Sequence, residues 1–141
     1  MKINTSRFGE VEIEDNRIFD FVLPIIGFNE LRKFVILDIN KDSFFKWLQS
    51  VEDPSLAFPV VSVFSMNVDY SVDIPDVVVE KLNIQSVESL LVMNIASIPQ
   101  DDPQGTTLNL LAPLVFNLDE NLAGQVILSG SGYDISYPLF K

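Results

Sequence analysis

The hydrophobic pattern along the chain is that of strands. Glu10-Val11-Glu12-Ile13-Glu14 alternates with period two, placing three glutamates on one face and Val11 and Ile13 on the other. Asp15-Asn16-Arg17 reads as a turn leading into Ile18-Phe19-Asp20-Phe21. A three-residue loop sets Ile13 opposite Phe19 and Val11 opposite Phe21, whereas a two-residue loop mixes the faces. The pattern therefore predicts a hairpin closed by those three residues, after which Pro24 and Gly27 break the extended chain.

Further strands are expected over 33–39, 44–50, 60–67, 90–97, 106–111, 114–117, 125–129 and 133–137. Turn signals separate them at Glu52-Asp53-Pro54 and over 101–105, 119–124 and 129–132. Pro59 and Pro113 argue for strand starts or edges. Only two segments read as helical. Residues 73–83 offer Asp73 as a cap, Pro75 in the first turn and apolar residues at Ile74, Val78 and Leu82, and 28–33 could form a single turn. The expected fold is mainly β: one small antiparallel β-barrel-like domain over residues 1–141, with one or two short helices.

Composition agrees. At 141 residues, 48% apolar and 21% charged, the chain suits one folded domain with a core. It contains no cysteine and no histidine. Thiolate chemistry, disulfides, Cys/His zinc sites and His-dependent triads are thereby excluded, and the inventory leans against an enzyme or a cofactor. No apolar stretch of signal-peptide length opens the sequence, and its longest uncharged run, 103–118, is too short and too broken by Gly and Pro to span a bilayer. Absence of cysteine fits a reducing compartment, so a cytoplasmic location is expected.

Charge adds a direction. The formal net charge is −11, and it is uneven: residues 1–46 hold seven basic and eight acidic groups, whereas 47–140 hold twelve acids against a single base, Lys81. Such a surface repels nucleic-acid phosphates and attracts a basic protein. It also serves solubility alone, and its like charge favours a monomer.

Candidate chemistry is sparse. Glu10, Glu12 and Glu14 could grip a cation or a basic peptide, although the alternation equally gives a solvated strand face. Asp101-Asp102 and Asp119-Glu120 lack the alternating ligands and fixed glycine of an EF-hand and read as turns. Gly130-Ser131-Gly132 lacks the Lys-Ser/Thr of a phosphate loop and has Asp134 beside it. Phe45, Trp47 and Gln49 fall on one face of the 44–50 strand, with Phe44, Lys46 and Leu48 on the other. Large apolar groups on both faces mean a central core strand or an exposed patch. Asn94, Asn109 and Asn117 interrupt apolar strands, which is the usual position of a buried hydrogen-bonding amide.

The ordered motifs form a recognisable set. RFGEVEIEDNRIFDF from Arg7, LPIIGF from Leu23, FKWLQSVEDPSLAFPV from Phe45, LLVMNIASIP from Leu90, TLNLLAPLVFN from Thr107 and AGQVILSGSGYDISYPL from Ala123 resemble the FliW family of flagellar assembly factors. The resemblance spans nearly the whole chain in order. It departs at 65–88, where Tyr70 and Pro75 match but an aromatic run does not, and at Phe21-Val22-Leu23-Pro24. It implies a small, β-rich, cytoplasmic, non-enzymatic protein that binds the C-terminal region of flagellin. It also implies binding to the translational regulator CsrA, with the two partners exchanging so that flagellin synthesis follows flagellin export.

Partner contacts are expected at two kinds of residue. Flagellin's amphipathic ends, as the family implies them, call for an apolar groove, for which Phe45, Trp47 and Phe64 are the candidates. Acidic contacts are expected at Glu52, Asp53, Asp69, Asp101 and Asp102, in or beside turns of the acidic half. The alternative from another class is a small β-barrel that holds a ligand or carbohydrate in a pocket lined by Trp47 and two carboxylates.

Overall fold

A computed structural model describes residues 1–39, 45–66 and 68–140. Eleven strands follow one another: β1 (Lys2–Thr5), β2 (Gly9–Glu12), β3 (Ile18–Leu23), β4 (Lys33–Leu37), β5 (Lys46–Ser50), β6 (Ala57–Val61), β7 (Leu90–Ser97), β8 (Thr107–Leu108), β9 (Leu114–Asn117), β10 (Leu122–Gln125) and β11 (Tyr137–Pro138). One α-helix, α1 (Asp76–Lys81), and several short 3-10 turns complete the described residues.

Seven strands close into a barrel. Strands β3 to β7 run as an antiparallel meander, β7 pairs with β9 through Leu90–Asn117 to Met93–Leu114, β9 pairs with β10, and β10 returns to β3. That last pairing is parallel, Leu122 opposite Asp20 and Ala123 opposite Phe21. Gly124 is required at this seam: a Cβ there would lie 2.6 Å from the Cβ of Leu23. Residues 96–97 of β7 continue past β9 to pair with β8, whose other edge carries β11.

The barrel interior is filled by rings. Phe19, Phe21, Phe34 and Phe116 are buried with Leu48, Val60, Met93 and Leu114. Phe19–Phe116 and Phe21–Phe34 meet edge to face at centroid distances of 4.9 and 5.1 Å, a favourable geometry for aromatic pairs. A second cluster lies outside the barrel, where Val78 of α1 and Leu82 just after it cover Val61, Val115, Val126 and Leu128. A third lies under the β1–β2 hairpin, where Ile3 and Ile13 meet Val35 and Leu37.

Polar keys hold the outer layer. Tyr70 donates its hydroxyl hydrogen to Leu110 O at 2.7 Å and accepts from Asn94 Nδ2 at 3.2 Å. Asn117 Nδ2 donates to Leu82 O (2.7 Å) and Asn83 O (3.0 Å), while its Oδ1 accepts from the main chain of Asp119 and Glu120. Asn83 takes φ +51°, the left-handed conformation that ends α1. Asn94 and Asn117 are buried, and half-buried Asn109 accepts from Ala112 N, as the sequence pattern suggested.

Several expectations need correction. The hairpin placing Ile13 opposite Phe19 does not form: β2 pairs with β1 (Ile3 opposite Val11) and β3 pairs with β4 (Phe19 opposite Phe34). A 3-10 turn at Asp15–Arg17 turns the chain from one sheet into the other. Period-two alternation fixes which residues share a face and leaves the partner strand open. Strand 60–67 is instead β6 at 57–61, with Pro59 inside it opposite Trp47. Strand 125–129 is β10 at 122–125, although Val126 N and Leu128 N still bond to Pro113 O and Leu111 O. Strand 106–111 shortens to β8 and 133–137 yields only the two residues of β11. The expected helix 73–83 is present as 76–81. The expected strand positions Phe44 and Asn67 lie outside the described residues.

Candidate partner-binding surface

The turn between β5 and β6 is built by its own side chains. Ser50 Oγ accepts from Glu52 N and Asp53 N, and Asp53 Oδ1 accepts from Ser55 N (2.9 Å) and Ser55 Oγ (2.7 Å). The Ser55 hydroxyl bond, and then its main-chain bond, hold the Asp53 carboxyl below the ordinary aspartate value. Glu52 Oε1 bridges to β4, accepting from Arg32 N at 2.7 Å and Lys33 N at 2.8 Å. Both acids therefore shape the turn as well as charging it.

Asp69, Asp101 and Asp102 are exposed. Asp69 precedes the buried Tyr70, and the Asp101-Asp102 pair leads into the 3-10 turn at Pro103–Gly105. Of the twelve acids in 47–140, all but the half-buried Asp53 are exposed. Among the described residues the ion pairs fall within residues 1–33: the Met1 amine with Glu12, Lys2 with Glu10, and Arg32 and Lys33 with Asp20. Among the described residues no ion pair involves the acids of the later segment.

The aromatic candidates are dispersed. Trp47 belongs to the cluster under the β1–β2 hairpin, 5.7 Å from the Phe8 ring and covered by the Arg7 guanidinium 4.3 Å from its centroid. Phe45 was expected on the face of Trp47, but it precedes β5 and packs against the cluster beneath α1. Strand alternation begins only at Lys46, so the parity argument does not reach Phe45. Phe64 is 53% exposed, with its ring 5.5 Å from Tyr70, which in turn meets Tyr133 at 4.8 Å.

A cavity of about 430 Å³ opens at one end of the barrel, lined by Arg17, Phe19, Asp38, Lys46 and Leu91 among others. Among the described residues that line it there is no Trp47, and Asp38 is the one carboxylate, so they do not assemble the tryptophan with two acids that a carbohydrate site would need. Two residues outside the expected partner contacts stand beside Trp47: Arg7, and the fully buried Gln49. Gln49 carried a signal, since the alternation placed this amide on the same strand face as Trp47. Arg7 over Trp47 carried none, because the two are far apart in sequence.

The family model described as FliW protein matches residues 2–139. The chain belongs to the FliW family. It is 36% identical over 141 residues to the "Flagellar assembly factor FliW" of Clostridium tetani, covering 100% of this chain and 97% of that protein. It is 40% identical over 134 residues to the protein of the same name from Caldicellulosiruptor saccharolyticus, covering 95% and 87%. A crystal structure of the flagellar assembly factor FliW superposes with a TM-score of 0.92 at 35% identity, covering 100% of this chain and 98% of that one. The closed barrel is thus a FliW fold. No helix of the described residues is long and apolar enough to cross a membrane.

Proposed function

We propose that this FliW-family protein is a non-enzymatic, cytoplasmic flagellar assembly factor that binds flagellin and, in exchange, the translational regulator CsrA. The observation that carries the reading is the pairing of a full-length family match with an uncompensated acidic segment. A regulator that holds RNA must present a basic surface, and eleven exposed acids that form no ion pair among the described residues are its electrostatic complement. Screening over about 8 Å at physiological salt means that the acids act near the contact, by covering the RNA site or by repelling RNA beside it.

On this reading flagellin that accumulates before export occupies the factor and leaves the regulator free to repress. Export releases the factor, which then removes the regulator from its message. Size-exclusion chromatography with light scattering tests this, with the protein mixed with flagellin, with CsrA and with both, at two salt concentrations. Co-elution with each partner, salt-weakened for CsrA, and displacement of CsrA by flagellin are expected. A mixture in which neither partner co-elutes overturns the proposal.

A further inference from the structure

The two ends of the barrel are finished differently. At the end where β4 begins, the 25–31 turn closes the lumen: Ile25 is buried, and Phe28 and Leu31 pack on the barrel cluster, Phe28 meeting Phe58 edge to face at 5.3 Å. At the end where β4 finishes, no described residue fills that place, and the cavity of about 430 Å³ remains. A hollow of about 320 Å³ adjoins it, sharing Ile36, Lys46 and Leu91 and reaching Val60 and Met93. Ile36 and Leu91 pack on the barrel cluster yet are only half-buried, and Leu118 at the rim is 46% exposed. Hydrated apolar walls gain free energy when an apolar body displaces their water. Either hollow falls within the roughly 300–1,000 Å³ of small-molecule sites.

The rim is charged. Arg17 stands just before β3, Asp38 just after β4, and Lys46 opens β5. Alternation gives Lys46 the parity of the buried Leu48, which places it on the lumen side, where it lines both hollows. Neither Arg17 nor Lys46 forms an ion pair among the described residues, whereas Lys2, Arg32 and Lys33 do. Two cations against one carboxylate give the described lining one positive charge, in a chain whose net charge is −11. An apolar floor under a rim that lacks one negative charge is complementary to an amphiphile with a single anionic head.

We propose that this mouth of the barrel binds a small monocarboxylate with an aliphatic body. The body lies against Ile36, Leu91 and Met93, and the carboxylate accepts from Lys46 Nζ and the Arg17 guanidinium. Asp38 beside them disfavours a second negative charge on the ligand. The inference is independent of the exchange reading, since neither flagellin nor CsrA takes part in it.

The test titrates the full-length protein with octanoate while the side-chain methyl resonances of Ile36, Leu91 and Met93 are followed by NMR. Saturable shifts centred on these methyls are expected. Octanol, with the same tail and no charge, is expected to bind about tenfold more weakly, and octylammonium more weakly still. Lys46→Gln and Arg17→Gln, both at exposed positions, are each expected to weaken octanoate about threefold, the scale of a solvent-screened ion pair, with the thermal midpoint unchanged. Octanol affinity that stays constant across these variants shows that charge, and not the shape of the mouth, was lost. Mouth methyls that give no saturable response to octanoate overturn the inference. So does octanol that binds as well as octanoate, or a pair of charge variants that both bind octanoate as the wild type does.

Discussion

Phe116 and Asn117 are neighbours on β9, and both are buried, yet they serve opposite sides of the barrel wall. Phe116 points inward and meets the rings of Phe19 and Phe21. Asn117 joins the end of α1 to the start of the 118–121 turn through four main-chain hydrogen bonds. The interior is stabilised by volume filled, so any group of the right shape would serve. The outer layer is stabilised by a few amides and a hydroxyl whose positions dictate where the acidic turns go. One wall gives stability, the other gives geometry.

Substitutions can separate the two. Phe116→Ala is expected to cost about 3–5 kcal/mol, the range for emptying a ring from a packed core, read from denaturant unfolding. Asn117→Leu keeps the branching and the number of heavy atoms but strands two carbonyls and two N–H groups, at about 1–3 kcal/mol. Its distinguishing effect is local: faster amide hydrogen exchange in α1 and at Asp119 and Glu120, with the barrel strands unchanged. Were Phe116→Ala to loosen α1 as much as the barrel, the two layers would be one cooperative unit and the contrast would fail.

Tyr70→Phe removes one donor and one acceptor, for about 1 kcal/mol. The phenol also gives a pH signature. Burial, with a smaller contribution from nearby Tyr133, raises the Tyr70 pKa above the usual tyrosine value, and the Asn94 hydrogen bond only partly offsets this. The neutral phenol is thus favoured in the folded state. Its contribution is complete below the ordinary tyrosine range and is lost as pH rises through the elevated value. Stability should fall in alkaline solution more steeply for the wild type than for Tyr70→Phe. The smallest effect is expected for Asp101→Asn combined with Asp102→Asn, within about 0.5 kcal/mol in stability. On the proposed exchange with CsrA, that pair should instead reduce the salt dependence of the complex, and no change there would remove these two acids from the proposed contact.

The sequence carried the class of fold well and its connections poorly. Alternation identified the extended segments because side chains on a pleated strand must take opposite sides. It could not show that Val11 faces Ile3 and not Phe21, because the partner segment, Lys2–Thr5, is four residues with little apolar content. Pro59 was read as a strand boundary, yet it sits within β6 opposite Trp47. For the candidate surface, the turn chemistry of Glu52-Asp53-Pro54 was legible, and so was the excess of acid. Legibility ended where three-dimensional neighbours decide the arrangement: Arg7 reaching Trp47, and Phe45 parting from it.

The parallel seam between β3 and β10 has a kinetic meaning. The pairings among β3, β4, β5 and β6 are made by short local connections, which form early in folding. The seam instead waits for a segment far along the chain, as the bond from Ile26 N to Gln125 Oε1 across 99 residues illustrates. Until residues 122–125 arrive, β3 presents a bare edge and the phenylalanines lie in an open trough, the state in which β-rich chains mispair with one another. Refolding should therefore be slow, concentration-sensitive and limited by closure, and nascent chains that stall before β10 should be the species that chaperones retain.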